Sequence, residues 1–247
     1  ASNTFNENNT SYWHKSVGGY HAAKLRRYQE MIEEHISDEM QGLYKAVAEA
    51  GGEVEKLHPE EFPVLNMLNT KYFIFPLQGG QTIPLPNPFA FGNAWFVNEV
   101  QYVNNANEEI EAIHDLNPLQ TAVVDKKFES VVKSLPSDST ATIELVAYEP
   151  NHLKYEVNSE KGGTVVFSEI YYPGWQATID GKDVPHGRAN YIFRAMNVPA
   201  GKHTVEYRFD PTSLHVTEAI AFTALGLLAL LAIVVIVLKI KAYRKAG

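Results

Sequence analysis

The run from Ala219 to Leu238, AIAFTALGLLALLAIVVIVL, holds twenty residues and no charge. As a helix rising about 1.5 Å per residue it is about 30 Å long, the thickness of a bilayer's hydrocarbon core. It is apolar on every side and has no face suited to water, so residues 213–241 are expected to span a membrane rather than to pack on a soluble core. Glu218 closes the run on one side, and Lys239, Lys241, Arg244 and Lys245 follow it on the other. Basic flanks favour the cytoplasmic side. The tail 242–247 is therefore expected in the cytoplasm and the rest of the chain outside it.

Four of the 21 basic residues lie in the stretch after Leu238, which has no acidic residue. The portion before it carries 17 basic against 29 acidic residues, a balance of −12. Phosphate backbones are held by basic surfaces, so a nucleic-acid partner is not expected. The chain has no cysteine. A domain of this size can fold outside the cytoplasm without disulfides. Its first residues, ASNTFNENNT, lack an initiator Met, a basic flank and an apolar stretch. This predicts either a removed signal or the C-terminal piece of a longer membrane protein. Asn8-Asn9-Thr10 and Asn9-Thr10-Ser11 match the glycosylation sequon, which implies an exposed loop.

Residues 1–135 read as an α/β region. Leu25, Tyr28, Ile32 and Ile36 step by three and four, predicting a helix from about His21. Ser37 and Asp38 are expected to cap a second helix, carrying Met40, Leu43, Tyr44 and Val47 and ending at Gly51-Gly52. Pro63 opens a short helix. KYFIF (71–75) reads as a buried strand, and the proline-rich stretch 76–92 as a long loop. Residues 94–103 form one strand, 104–115 a helix capped by Asn104 or Asn107, and 120–125 another strand. Beyond the polar SLPSDS, residues 140–211 carry seven short alternating strands, at about 141–149, 152–158, 163–170, 175–180, 182–186, 191–196 and 203–209. Asp180-Gly181 marks a type I′ hairpin. The fold expected is α+β: an α/β region, then a β-sandwich of jelly-roll or immunoglobulin-like kind, then one membrane helix.

Catalytic signatures are absent: no GxSxG, Walker loop, HExxH or GxGxxG. Glu55–His58 and Glu111–His114 each spell ExxH, but di-metal sites need several helices in one bundle, so no metal or other cofactor is expected. Two stretches carry candidate binding chemistry. In WHKSVGGYHAAKLRR a glycine turn runs into a helix start, and Lys15, Lys24, Arg26 and Arg27 add charge suited to a lipid phosphate or another anion. The competing account pairs these cations with Glu30, Glu33 and Glu34 on adjoining turns, Arg26 with Glu30 above all. In EIYYPGW, Tyr171, Tyr172 and Trp175 could stack on sugar rings, or Trp175 could fill the sandwich core. A hydrolytic pairing of Glu169 with Asp180 or Asp183 is also open at this level.

VLNMLNTKYFI, GNAWFV, SEIYYPGWQATIDGKDVP, RANYIFRAMNVPAGKHTVEYRFDP and the closing apolar helix resemble the C-terminal part of YfhO-like bacterial membrane proteins. SVGGYHAAKLRRYQ resembles the Bacteroidetes-type members most closely, and the resemblance covers essentially the whole chain. These proteins are similar to multi-span glycosyltransferases that use polyprenyl-phosphate sugars. The resemblance implies the ectodomain and last helix of such a protein in a bacterial cytoplasmic membrane. It also implies an accessory or acceptor-binding role on cell-envelope glycans, with the bilayer and the rest of the parent protein as partners. The family's catalytic carboxylates usually lie in an early loop between N-terminal helices, so no catalytic residue is carried over. The alternative is a structural module that packs a membrane bundle and binds nothing.

Overall fold

A computed structural model describes residues 4–246. A short helix, α1 (Asn9–Trp13), precedes a long one built from α2 (Arg26–Met31), a π-helical turn (Ile32–Ile36) and α3 (Ser37–Glu49). The break expected at Ser37 is not there, since Ser37 has helical dihedrals (φ −64°, ψ −42°). The wide π turn adds a residue to the helical repeat, so Met31, Ile32, His35 and Ile36 all reach the interior. The helix also starts at Arg26 rather than His21, because Leu25 is extended (ψ 128°).

Pro63 opens α4 (Pro63–Met67), whose first turn is closed from outside. The Glu39 carboxylate accepts from Val64 N at 2.9 Å and Leu65 N at 2.8 Å. KYFIF is not a buried strand. It forms β1 (Tyr72–Pro76), paired with β2 (Thr82–Pro86) inside the stretch expected to be a loop. Tyr72 and Ile74 point to solvent, because this hairpin is a separate two-stranded sheet with only one face on the core.

Residues 94–103 form two strands, parted at Asn98: β3 (Ala94–Val97) and β4 (Glu99–Val103). β4 pairs in parallel with β5 (Thr121–Asp125), the crossover being α5 (Ala106–Glu111). The cap of α5 is Asn105. Its side chain accepts from Asn107 N and Glu108 N, while Glu108 reaches back to Asn104 N, a reciprocal cap that neither neighbouring asparagine could make.

The remaining strands are β6 (Thr142–Glu149), β7 (His152–Ser159), β8 (Gly163–Ile170), β9 (Trp175–Ile179), β10 (Lys182–Val184), β11 (Gly187–Ala189), β12 (Phe193–Val198) and β13 (Gly201–Phe209). They build a five-stranded sheet, β10-β9-β13-β7-β6, facing a four-stranded sheet, β11-β12-β8-β3. The turn at Asp180 (φ 51°) and Gly181 (φ 75°) has both residues left-handed, as a type I′ hairpin requires. A strand from before residue 135, β3, is an edge of the second sheet, so the chain on both sides of SLPSDS shares one sheet.

The four-stranded sheet is a middle layer. Val165, Phe167, Met196 and Val198 face the five-stranded sheet through Leu153, Tyr155, Val205 and Tyr207. Trp95, Val166, Phe193 and Ala195 face the helices through Met31, Ile36, Leu65 and Met67. β8 and β12 are buried on both faces, which explains their near-continuous apolar sequences.

β13 leads through Asp210 and Pro211 into α6 (Thr212–Ala246), 35 residues long. Within it Thr212–Lys245 is apolar and long enough to cross a membrane, with none of its most apolar window buried. The joint is fastened: Asp210 N donates to Gly174 O at 3.0 Å, and the Gln176 side chain to Asp210 O at 3.1 Å. Gly174 has φ +103°, and a Cβ there would come within 2.8 Å of Pro211.

Candidate functional site

The end of the sandwich that adjoins α6 is defined by register. Phe209 pairs with Trp175 and Tyr207 with Leu153, while Tyr148 on β6 also opposes Leu153. At this end Arg194, on β12, points into the sandwich and is 2% exposed. Its guanidinium carbon lies 3.8 Å from the Trp175 ring centroid and 5.1 Å from that of Tyr207. Its Nε donates to Ile170 O at 3.1 Å, but Nη1 has no hydrogen-bond partner among the described residues. The Tyr155 and Tyr207 hydroxyls and His186 Nε2 are also buried and unpartnered. The rings are in contact: His186 with Tyr207 at 5.2 Å, and Tyr155 with Tyr207 at 6.5 Å.

Buried polar atoms are normally hydrogen-bonded, because each unsatisfied one costs about 1–3 kcal/mol. Three such atoms near an arginine that itself lacks one partner form a concentrated defect, and each of them calls for an explanation. The electrostatics agree. Burial lowers the Arg194 pKa from its usual value, although the surrounding tyrosines and Glu169 oppose this. Burial, with Arg194 adding to it, pushes His186 down to about 4, so it is neutral at physiological pH. Glu169 is raised by burial, partly countered by Arg194 and Lys15.

The two sequence candidates meet here only in part. Lys15 Nζ sits 3.1 Å from the Tyr148 ring centroid and acts on Glu169, which ties the N-terminal stretch to this end of the sandwich. The other three cations go elsewhere. Lys24 approaches Phe5 O at 3.5 Å. Arg26 pairs with Glu30 at 2.8 Å, as its i,i+4 spacing allows. Arg27 meets the fully buried Glu109 at 3.1 Å, and Arg188 meets the same carboxylate at 2.8 Å. Beside Lys24 and Arg26 lies an open cleft of about 530 Å³, also lined by Phe5, Tyr20, Glu30 and Glu33.

Of the aromatic stretch, Trp175 is the floor under Arg194. Tyr171 contacts the rings of Phe128 and His186, and Tyr172 is 45% exposed near Phe209. Asp180 is held by His203 and Thr204 N at the opposite end of β9, so it does not face Glu169 across a cleft. Among the described residues no three His, Cys, Asp or Glu side chains gather closely enough to hold a metal ion. Sequence reasoning missed Arg194, Tyr155, Tyr207 and His186. The available signal was Arg194 itself, a charge inside the otherwise apolar run YIFRAM of a strand buried on both faces.

A spanning helix fastened to an α+β domain, with a polar defect where the two meet, defines a membrane-anchored protein. Residues 113–221 match the family described as bacterial membrane protein YfhO, so this part of the chain is similar to that family. The matched segment contains Tyr148, Tyr155, Glu169, Trp175, His186, Arg194 and Tyr207, though not Lys15. No curated protein and no solved structure matches the chain.

Proposed function

We propose that this chain is the accessory, ligand-holding part of a multi-span bacterial membrane protein that handles polyprenyl-phosphate-linked sugars and envelope glycans. In this reading the domain stands on the outer side of the cytoplasmic membrane, and catalysis belongs to other membrane helices of the parent protein. The resemblance to YfhO-like proteins supports the class. The observation that carries the role is the convergence of Lys15, Tyr148, Glu169, Trp175 and Arg194 at the end of the sandwich next to α6. A cation beside aromatic faces there suits the phosphate and the sugar of a ligand rooted in the bilayer. The orientation rests on the basic flank after Leu238.

A second reading is a structural module that packs a membrane bundle. It is favoured by Lys24, Arg26 and Arg27, each engaged within the chain. Titration of the full chain in nanodiscs with a short-chain polyprenyl-phosphate sugar separates the two. Amide shifts clustered at Lys15 and residues 169–175 are expected. Their absence at millimolar ligand would leave the packing module.

A further inference from the structure

We propose that the exposed rings of Tyr12 and Trp13, on α1, are a membrane contact separate from α6: they rest in the interfacial layer of the bilayer and fix how the domain stands on it. The partner is the lipid surface itself, and the inference does not depend on the ligand reading above.

Three observations carry it. The first is exposure without looseness. Tyr12 and Trp13 are 77% and 76% exposed, and their rings meet edge to face at 4.8 Å. The helix that carries them, Asn9–Trp13, buries no residue, so two large apolar rings stand outside the core. The segment is nevertheless tied down. Tyr20 N donates to Asn8 Oδ1 at 2.8 Å, Gly19 N to Thr4 O at 2.7 Å, and the Tyr28 hydroxyl to Val17 O at 2.5 Å.

The second is position. Lys15 follows Trp13 by two residues, a reach of about 7 Å at most, and its Nζ lies 3.1 Å from the Tyr148 ring centroid. Tyr148 opposes Leu153, and Leu153 opposes Tyr207, close to where β13 ends at Phe209 and α6 begins at Thr212. α1 therefore ends beside the face of the sandwich from which the spanning helix leaves. From Thr212 to the uncharged run at Ala219 is about two turns, about 10 Å, comparable with a headgroup layer of about 5–8 Å.

The third is what α6 lacks. Spanning helices carry Tyr or Trp at both interfaces, where an apolar ring with a polar tip suits the boundary. α6 has Tyr243 at its basic end, 86% exposed, and no aromatic residue from Thr212 to Ala221 at the other. Tyr12, Trp13 and the half-exposed Tyr148 and Tyr172 supply that ring chemistry from the domain. The rest of α1, Asn9, Thr10 and Ser11, is polar, which suits a wet headgroup layer better than the dry centre of a protein interface.

The test places the full chain in phosphatidylcholine nanodiscs. The emission of Trp13 is read as the difference between the parent and Trp13→Phe, which removes the contributions of Trp95 and Trp175. Lipids brominated near the headgroup end of the acyl chain should quench it by about half or more, and lipids brominated near the chain end far less, as an interfacial ring requires. Tyr12→Ser/Trp13→Ser should keep the parent's Tm in dodecyl maltoside, because α1 buries nothing. In nanodiscs with a gadolinium-headgroup lipid, that variant should lose amide broadening at Lys15 while keeping it at Gly174 and Asp210, beside the fastened joint. Trp13 emission that ignores both brominated lipids and is freely quenched by iodide in the water overturns the proposal. Emission shielded from iodide, insensitive to bromine and dependent on the number of chains per disc overturns it in favour of a second copy of this chain. A lowered Tm of the double variant in detergent makes the rings structural and overturns it as well.

Discussion

Arg188 and Arg194 lie on neighbouring antiparallel strands and are both buried, at 6% and 2% exposure, yet their surroundings differ in kind. Arg188 reaches the layer under the helices and finds Glu109 at 2.8 Å, with Arg27 on the same carboxylate and Asp125 at 3.8 Å. Arg194 reaches into the sandwich and finds aromatic rings and one backbone carbonyl, with no ion pair among the described residues. The first arrangement fastens α2, α5 and β11 together and is complete. The second is held in place by the fold and left incomplete. Such incompleteness in a well-packed layer is what supports the binding role proposed for this end of the sandwich.

The contrast is sharpest in stability. Glu109→Gln leaves Arg188 buried and weakly partnered, and should cost about 3–5 kcal/mol in denaturant unfolding, because breaking a buried pair strands the other charge. A loss below about 1 kcal/mol would place the two arginines in one class. The next effect is pH. His186 has its folded pKa depressed to about 4 from an ordinary 6.5, so the unfolded chain takes up its proton first. Its contribution is present above about pH 6.5 and is lost as the pH falls toward 4. We expect about 2 kcal/mol between pH 7 and pH 4, less what partial solvent exposure screens, and none of it in His186→Phe. His35, also depressed by burial, adds to the same slope in both proteins. Glu39, raised to about 7 by burial, works the other way: it loses stability as the pH rises from about 4.5 to 7, so only the difference between parent and variant is diagnostic. The smallest effect belongs to Arg194→Met. Exchanging an unpaired buried cation for a flexible apolar chain of similar length should change stability by no more than about 1 kcal/mol in either direction. A loss like that of Glu109→Gln would make Arg194 structural.

The features legible in the sequence were those with local causes. The spanning run is a matter of length and hydropathy, the Asp180-Gly181 turn a matter of left-handed backbone, and seven of the eight strands within 140–211 a matter of alternation and turn spacing; the eighth, β11 (Gly187–Ala189), is too short to show an alternation and was not expected. Pro63 and the Arg26–Glu30 pair are equally local. What was not legible depended on distant partners. β3 leaves the strand it was expected to share with β4 because β8, some seventy residues away, offers it an open edge. The π turn follows from the core that Ile32 and Ile36 must both reach. The candidate site divided along the same line. Trp175 was found as an aromatic residue, but its role came from Arg194, which pairs across the sandwich and not along the chain. Of four candidate cations only Lys15 reached the site, since Arg27 was taken by Glu109, eighty-two residues on.

The joint between Phe209 and Thr212 has a further consequence. A domain fastened to a spanning helix does not search a volume for a ligand that also lives in the bilayer. The two meet by diffusion in a plane, where confinement raises effective concentration much as a short tether does, toward the millimolar range. For any ligand of this domain that shares the bilayer, modest intrinsic affinity would therefore suffice for occupancy and would still allow quick release.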